Sequence, residues 1–221
     1  MPDRSALHAV AFAQMATNRS DLPARDDTAL AVALRARDRG AAVQAWVRFS
    51  PLVLGVLGRF FGPGPGGNDR QDLCQEVFLR FFARIDELRD PGALRGFLMG
   101  ICLGVAQNEL RRLRVRRWIR LTPVGELPEV PGPGLDPEAR EAVGRFYRLL
   151  ERVGVEDRTL FLTRYVEKME IAELASVLGL PLSTAKRRLA RATRRISAKM
   201  SRDPALARYV RNLLSGQAVR S

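Results

Sequence analysis

The sequence predicts an all-α protein: two small helical domains joined by a Pro/Gly-rich linker. Two observations lead there. Almost no segment alternates apolar and polar residues with period two, and β-branched residues are sparse outside short apolar runs, which argues for helix throughout. Residues 122–138 (TPVGELPEVPGPGLDPE) hold five Pro and three Gly, a composition that links elements and does not pack as one.

The elements follow in order. Residues 1–25 are weakly patterned and read as a partly disordered extension. Within them ALHAVAFAQMA (6–16) is mildly apolar, but His8 and Gln14 interrupt it and no basic cluster precedes it, so a signal peptide is not expected. Asp26-Asp27-Thr28 is placed to cap a helix through Ala29–Gly40. A second helix spans Ala41 to about Phe61, broken or kinked at Ser50-Pro51. FGPGPGGNDR (61–70) is a loop. Asn68 or Asp69 then caps a helix from Arg70 to Leu88, Asp90-Pro91-Gly92 turns the chain, and a long helix runs from about Ala93 to Trp118. These residues form a first domain, 26–121. Beyond the 122–138 linker, helices at 138–153, 156–168, 170–178 and 182–202 form a second, 139–202. A tail, 203–221, has room for a short helix at 204–214.

Charge then narrows the function. The 221 residues carry a net +13, with a pI near 11.2. RRLRVRRWIR (111–120) holds six Arg and no acid, and KRRLARATRRISAKMSR (186–202) holds eight Lys/Arg and no acid. Between them, residues 126–141 carry five acids and one Arg. A solvated surface usually mixes both signs, so two concentrated basic segments point to a polyanionic partner. The acidic, proline-rich segment between them suggests a linker that keeps the two lobes from merging.

Several functions are excluded by inventory. His8 is the only histidine, and Cys74 and Cys102 are the only cysteines. That rules out a disulfide scaffold and a zinc site of four Cys/His ligands, and leaves no surroundings for a His-dependent catalytic set. Gly62, Gly64 and Gly67 match G-x-G-x-x-G, but Pro63 and Pro65 delete N–H groups a pyrophosphate would need. No G-K-[ST] is present. No catalytic residue, metal or cofactor is expected, and the chain reads as a non-enzyme. The longest aliphatic-plus-glycine stretch, Phe97–Ala106, is half a bilayer span, so no membrane insertion is expected. With two thiols and no export signal expected, a reducing cytoplasm is the expected location.

Three patterns could carry function. On a helical wheel of residues 182–202, Ala185, Leu189, Ala192, Ile196 and Met200 share about 80° of arc, while Arg187, Arg188, Arg191, Arg194, Arg195 and Lys199 surround Thr184 on the opposite side. Ahead of it lies a short helix with Ile171, Leu174, Ala175 and Leu178, ended by Gly179, and Pro181 suits the next first turn. Helix, glycine turn and basic amphipathic helix make a helix-turn-helix with the reading helix second. In the helix from Arg70, a core face of Leu73, Cys74, Val77, Phe78, Phe81, Phe82 and Ile85 leaves Leu79 stranded among Asp72, Gln75 and Glu76, the pattern of a protein-docking spot. Finally, Gly96, Gly100 and Gly104 form a stripe without side chains, which close approach of another helix would explain.

These residues resemble a known family. DRQDLCQEVFLRFF (69–82) followed by RGFLMGICLGVAQNELRRLRVRR (95–117) resembles region 2 of the extracytoplasmic-function (ECF) group of bacterial sigma factors, and LFLTRYVEKMEIAELASVLGLPLSTAKRRLARATRRI (160–196) resembles region 4. The resemblance implies a subunit that binds core RNA polymerase, at its clamp coiled coil and flap, and directs initiation at promoter DNA. Asp72, Gln75, Glu76 and Leu79 fall on the clamp-binding helix. Arg95, Asn108, Arg111, Arg112, Arg114, Arg116 and Arg117 fall on the region that melts and reads the minus-ten element. Ser183, Thr184, Lys186, Arg187, Arg188, Arg191 and Arg195 fall on the helix that reads the minus-thirty-five element, with Arg191 and Arg195 near phosphates. An anti-sigma factor is a further partner the resemblance admits.

The sequence departs from the pattern at Phe97 (usually Trp), Gly104 (commonly Asn) and Asn108 (usually Asp). Leu180-Pro181-Leu182-Ser183 replaces an Ile-Ser-Val-Gly turn, which removes the cap hydroxyl at 181. The alternatives are a dimeric helix-turn-helix regulator that acts without polymerase, and an RNA-binding or polymerase accessory protein.

Overall fold

The structure is a computed structural model, and it describes residues 25–62, 67–119, 137–207 and 210. Among the described residues there are helices and turns and no strand. The elements are α1 (Arg25–Arg35), α2 (Arg39–Phe61), α3 (Gly67–Ala83), two 3-10 turns (Ile85–Glu87 and Pro91–Ala93), α4 (Leu94–Ile119), α5 (Pro137–Glu151), α6 (Val155–Phe161), a π-helical turn (Leu162–Val166), α7 (Ile171–Val177) and α8 (Leu182–Met200).

Local chemistry explains where the boundaries fall. α1 begins at Arg25 and ends at Arg35. Asp27 is no cap: it is buried and pairs with Arg48 of α2 at 2.7 Å. The capping carboxylate belongs to Asp38, which accepts from the Gly40 and Ala41 amides at 2.7 and 3.4 Å and starts α2. Pro51 does not break that helix. A proline forfeits one backbone bond, and burial of Phe49, Val53, Val56, Leu57 and Phe60 along the same face holds α2 continuous. α2 is also long and apolar enough to cross a bilayer by composition, but this face lies in the protein core. α3 ends at Ala83, short of Leu88, because the chain tightens into the 3-10 turn at Ile85. α3 begins at Gly67, so residues 67–70 are helical where the sequence predicts a loop, and Asn68 and Asp69 lie inside the first turn and not at a cap ahead of Arg70. Residues 63–66 and most of the 122–138 linker lie outside the described residues.

The helices before and after the linker meet. Buried residues from both groups form one hydrophobic cluster among the described residues, so the expectation of lobes kept from merging is corrected in this arrangement. The join is specific. Arg59 near the end of α2 makes a two-pronged bond to Glu167, Nε to Oε1 and Nη2 to Oε2, both 2.7 Å, with side chains only 13% and 8% exposed. The Tyr147 hydroxyl donates to the Arg59 carbonyl at 2.7 Å, and the Arg158 guanidinium donates to the Phe60 carbonyl. Tyr147 lies against Gly62, whose φ of 77° and closeness to the ring (2.5 Å from where a Cβ would stand) leave room for glycine alone. At Gly100 the Val177 carbonyl of α7 comes within 3.3 Å of where a Cβ would be, which accounts for one member of the glycine stripe. Gly96 and Gly104 have no such neighbour.

Candidate polymerase and nucleic-acid interfaces

The helix-turn-helix is built by its turn. Gly179 adopts φ 62°, and the Gly179 and Leu180 amides bond back to the Ser176 and Ala175 carbonyls at 3.1 and 2.8 Å, closing α7. Pro181 occupies the cap position of α8 and no side chain caps there, as the lost hydroxyl implies. Ala185, Leu189, Ala192, Ile196 and Met200 are all buried, so the apolar stripe packs along its whole length. Thr193, buried beside it, bonds the Leu189 carbonyl and the Tyr165 hydroxyl at 2.9 and 3.0 Å. The rotation of α8 is thereby fixed.

With the stripe inside, the opposite face looks outward. Ser183, Lys186 and Arg187 are exposed, and Thr184 and Arg188 are half-buried at the N-terminal end. Arg191 and Arg195 are differently placed. The carboxylate of Asp157 in α6 takes Arg195 at 3.0 Å and Arg191 at 3.6 Å, while the two arginine side chains remain 61% and 49% exposed. Glu156 beside it lines a shallow pocket with Arg187, Arg188, Arg191 and Arg194. These two acids were invisible as partners of α8, because nothing in the sequence sets the packing of α6 on α8.

On α3, Leu73, Cys74, Val77, Phe78 and Phe81 are buried and Leu79 is 71% exposed, as the wheel predicts. Asp72 and Gln75 are exposed around it, and half-buried Glu76 is held by Arg80 at 2.6 Å. The sequence reading missed a neighbouring apolar face on α2. Val43, Trp46 and Val47 are exposed at helical spacing, and the Trp46 ring lies 4.6 Å from that of Phe78. α2 is apolar on more than one side, so periodicity does not separate its core face from this one.

Along α4, Arg95 is half-buried and already engaged in a contact. Asn108 is exposed and accepts from Arg111 at 3.2 Å, Arg112 approaches Glu109 at 3.6 Å, and Arg114 is exposed. Arg116 and Arg117 continue the same helix, their side chains outside the described residues. Phe97 packs near Phe81, ring centres 6.1 Å apart. Burial pushes the Cys74 thiol up to about 11 and raises Cys102 as well, so neither is a poised nucleophile. No cluster of three His, Cys, Asp or Glu able to hold a metal occurs among the described residues.

Comparison with known proteins now defines the class. Residues 34–116 match sigma-70 region 2 and residues 144–196 match sigma-70 region 4, together more than half of the chain. Among solved structures, CnrH in its complex with the cytosolic domain of CnrY has a similar fold, with TM-score 0.55 and 23% identity over 80% of this chain and 98% of that one. No curated protein matches the chain in sequence. The chain belongs to the sigma-70 family of RNA polymerase sigma factors. Its region 2 followed by region 4 makes it a sigma factor of the ECF type. It binds core RNA polymerase and promoter DNA and directs initiation, and sigma factors are non-enzymatic initiation factors.

Proposed function

We propose a division of labour among three surfaces. Leu79, with Asp72, Gln75 and Glu76, docks on the polymerase clamp coiled coil. The α4 surface from Arg95 through Asn108, Arg111, Arg112 and Arg114 to Arg116 and Arg117 contacts the minus-ten element. Ser183, Thr184, Lys186, Arg187 and Arg188 at the start of α8 reach base edges of the minus-thirty-five element, with Arg191 and Arg195 toward phosphates. The domain bounds 26–121 and 139–202 are part of the same proposal, as is a cytoplasmic location. A complex of CnrH with the cytosolic domain of CnrY, on a similar fold, supports an anti-sigma protein as a further partner.

One observation carries this reading. α8 buries its entire apolar stripe and turns its basic face outward from Ser183 to Lys199, and the N-terminal end of that face is the end that enters a major groove in helix-turn-helix docking. The test is run-off transcription by core polymerase with and without the chain. Promoter-specific transcripts that depend on the chain and vanish with Leu79→Asp are expected. Binding to an inverted repeat as a stable dimer, with no effect on polymerase, would favour the helix-turn-helix regulator instead.

A further inference from the structure

The cationic face of α8 is not purely cationic in three dimensions. α6 lays the two acids of its first turn, Glu156 and Asp157, onto it. Asp157 is 6% exposed and gives one carboxylate oxygen to each of two arginines a turn apart, Arg195 at 3.0 Å and Arg191 at 3.6 Å. Glu156 is exposed and faces the pocket shared by Arg187, Arg188, Arg191 and Arg194. A carboxylate in contact with a guanidinium does what a DNA phosphate would do: it accepts charge-assisted hydrogen bonds and displaces counterions.

We propose that Glu156 and Asp157 are built-in competitors of DNA phosphate that lower the sequence-independent affinity of the reading helix. The inference rests on the assignment of α8 as a DNA-contacting helix. Base-edge contacts are made from the N-terminal end, at Thr184, Arg187 and Arg188, so Asp157, paired with Arg191 and Arg195, weighs on the phosphate contribution, while Glu156 faces arginines of both sets. Their consequence is dependence on polymerase. A chain whose basic helix is partly self-neutralised holds duplex DNA weakly alone and binds it firmly only when docked.

Counterion release gives the size. Each phosphate contact contributes about 0.9 to the slope of log K against log salt, which at 0.15 M salt is roughly a fivefold change in affinity. Removing one acid returns about one effective contact. The experiment measures binding of the full chain to a 30-base-pair duplex of unrelated sequence by fluorescence anisotropy across a salt series. The variants are Glu156→Gln, Asp157→Asn and the pair. Glu156→Gln should bind about fivefold tighter at 0.15 M with a slope steeper by about 0.9, and the pair roughly thirtyfold tighter with a slope steeper by about 1.8.

The ranking of a set of promoter point mutants should be unchanged by Asp157→Asn, whose partners Arg191 and Arg195 lie on the phosphate side. Because Asp157 is buried, melting curves accompany its variants, and exposed Glu156→Gln decides the matter if Asp157→Asn unfolds. Unchanged slopes in a chain that does bind DNA overturn the inference alone. A loss of affinity also overturns it, since the acids would then be holding the arginines in place for phosphate. A wild-type chain with no salt-dependent DNA binding at all overturns the assignment of α8 itself, and the inference with it.

Discussion

Glu167→Ala attacks the join between the two helical groups at its most buried point. Both partners of the Arg59–Glu167 fork are nearly out of water, at 13% and 8% exposure, and both prongs are 2.7 Å long. Removing one member of a buried pair strands the other charge, at about 3–5 kcal/mol. Arg59 keeps some access to solvent, which favours the lower end, about 3 kcal/mol. At 1.4 kcal/mol per decade, that shifts the balance between joined and parted groups by more than a hundredfold. The loss is expected at the join and not in either core, because Arg59 and Glu167 bond each other across it and neither is part of the buried apolar cluster. Small-angle scattering of the variant should therefore show a larger radius of gyration at unchanged helicity. Glu167→Gln, which keeps an acceptor oxygen, should be intermediate. If Glu167→Ala remains as compact as the wild type, or loses helicity in the same step as it expands, the fork is not what holds the groups together.

Three further outcomes are expected. Leu79→Asp should leave the melting curve of the free chain unchanged and weaken binding to core polymerase by about 2 kcal/mol or more, measured by competition for core; early melting instead would make Leu79 a core residue. Arg188→Ala should cost about 1–3 kcal/mol at one promoter position and relax preference there, read from binding to a panel of point-mutated duplexes. Burial raises the Tyr147 phenol from 10 to about 12, so the unfolded chain releases that proton first as pH rises. Its contribution to stability is therefore intact below pH 10 and lost between pH 10 and 12, by roughly 2–3 kcal/mol, in denaturant titrations. Tyr147→Phe should flatten that part of the profile.

Sequence periodicity carried the parts of this molecule that are local. The stripe of α8, the turn at Gly179 and the exposure of Leu79 all follow from residue spacing along a single helix. What it missed is tertiary. Asp27 looks like a cap by type and position, yet Arg48, twenty-one places away, claims it as an ion-pair partner. Pro51 signals a break that the buried face of α2 overrides. The hold of Asp157 on Arg191 and Arg195 depends on how α6 lies against α8, and no spacing within either helix encodes that. Acidic linker residues suggested separation of the lobes, but the fork at Arg59 and the tyrosine over Gly62 join surfaces far apart in sequence.

The contact across Gly62, Arg59 and Glu167 also sets a ruler problem. The minus-ten and minus-thirty-five elements lie about 25 base pairs apart by name, roughly 85 Å at 3.4 Å per step. Two touching helical groups of roughly 95 and 65 residues, with radii of gyration of about 12 and 11 Å, place their centres only about 30 Å apart. The joined arrangement therefore reads one element or the other, never both. Between Ile119 and Pro137 the chain has about 17 residues, which by covalent geometry reach at most about 60 Å. Adding the half-width of each group brings the total to roughly the promoter spacing. The tether has almost no length to spare, so a deletion of even five or six residues there, about 20 Å of reach, would leave each half able to find its own element and the chain unable to hold both.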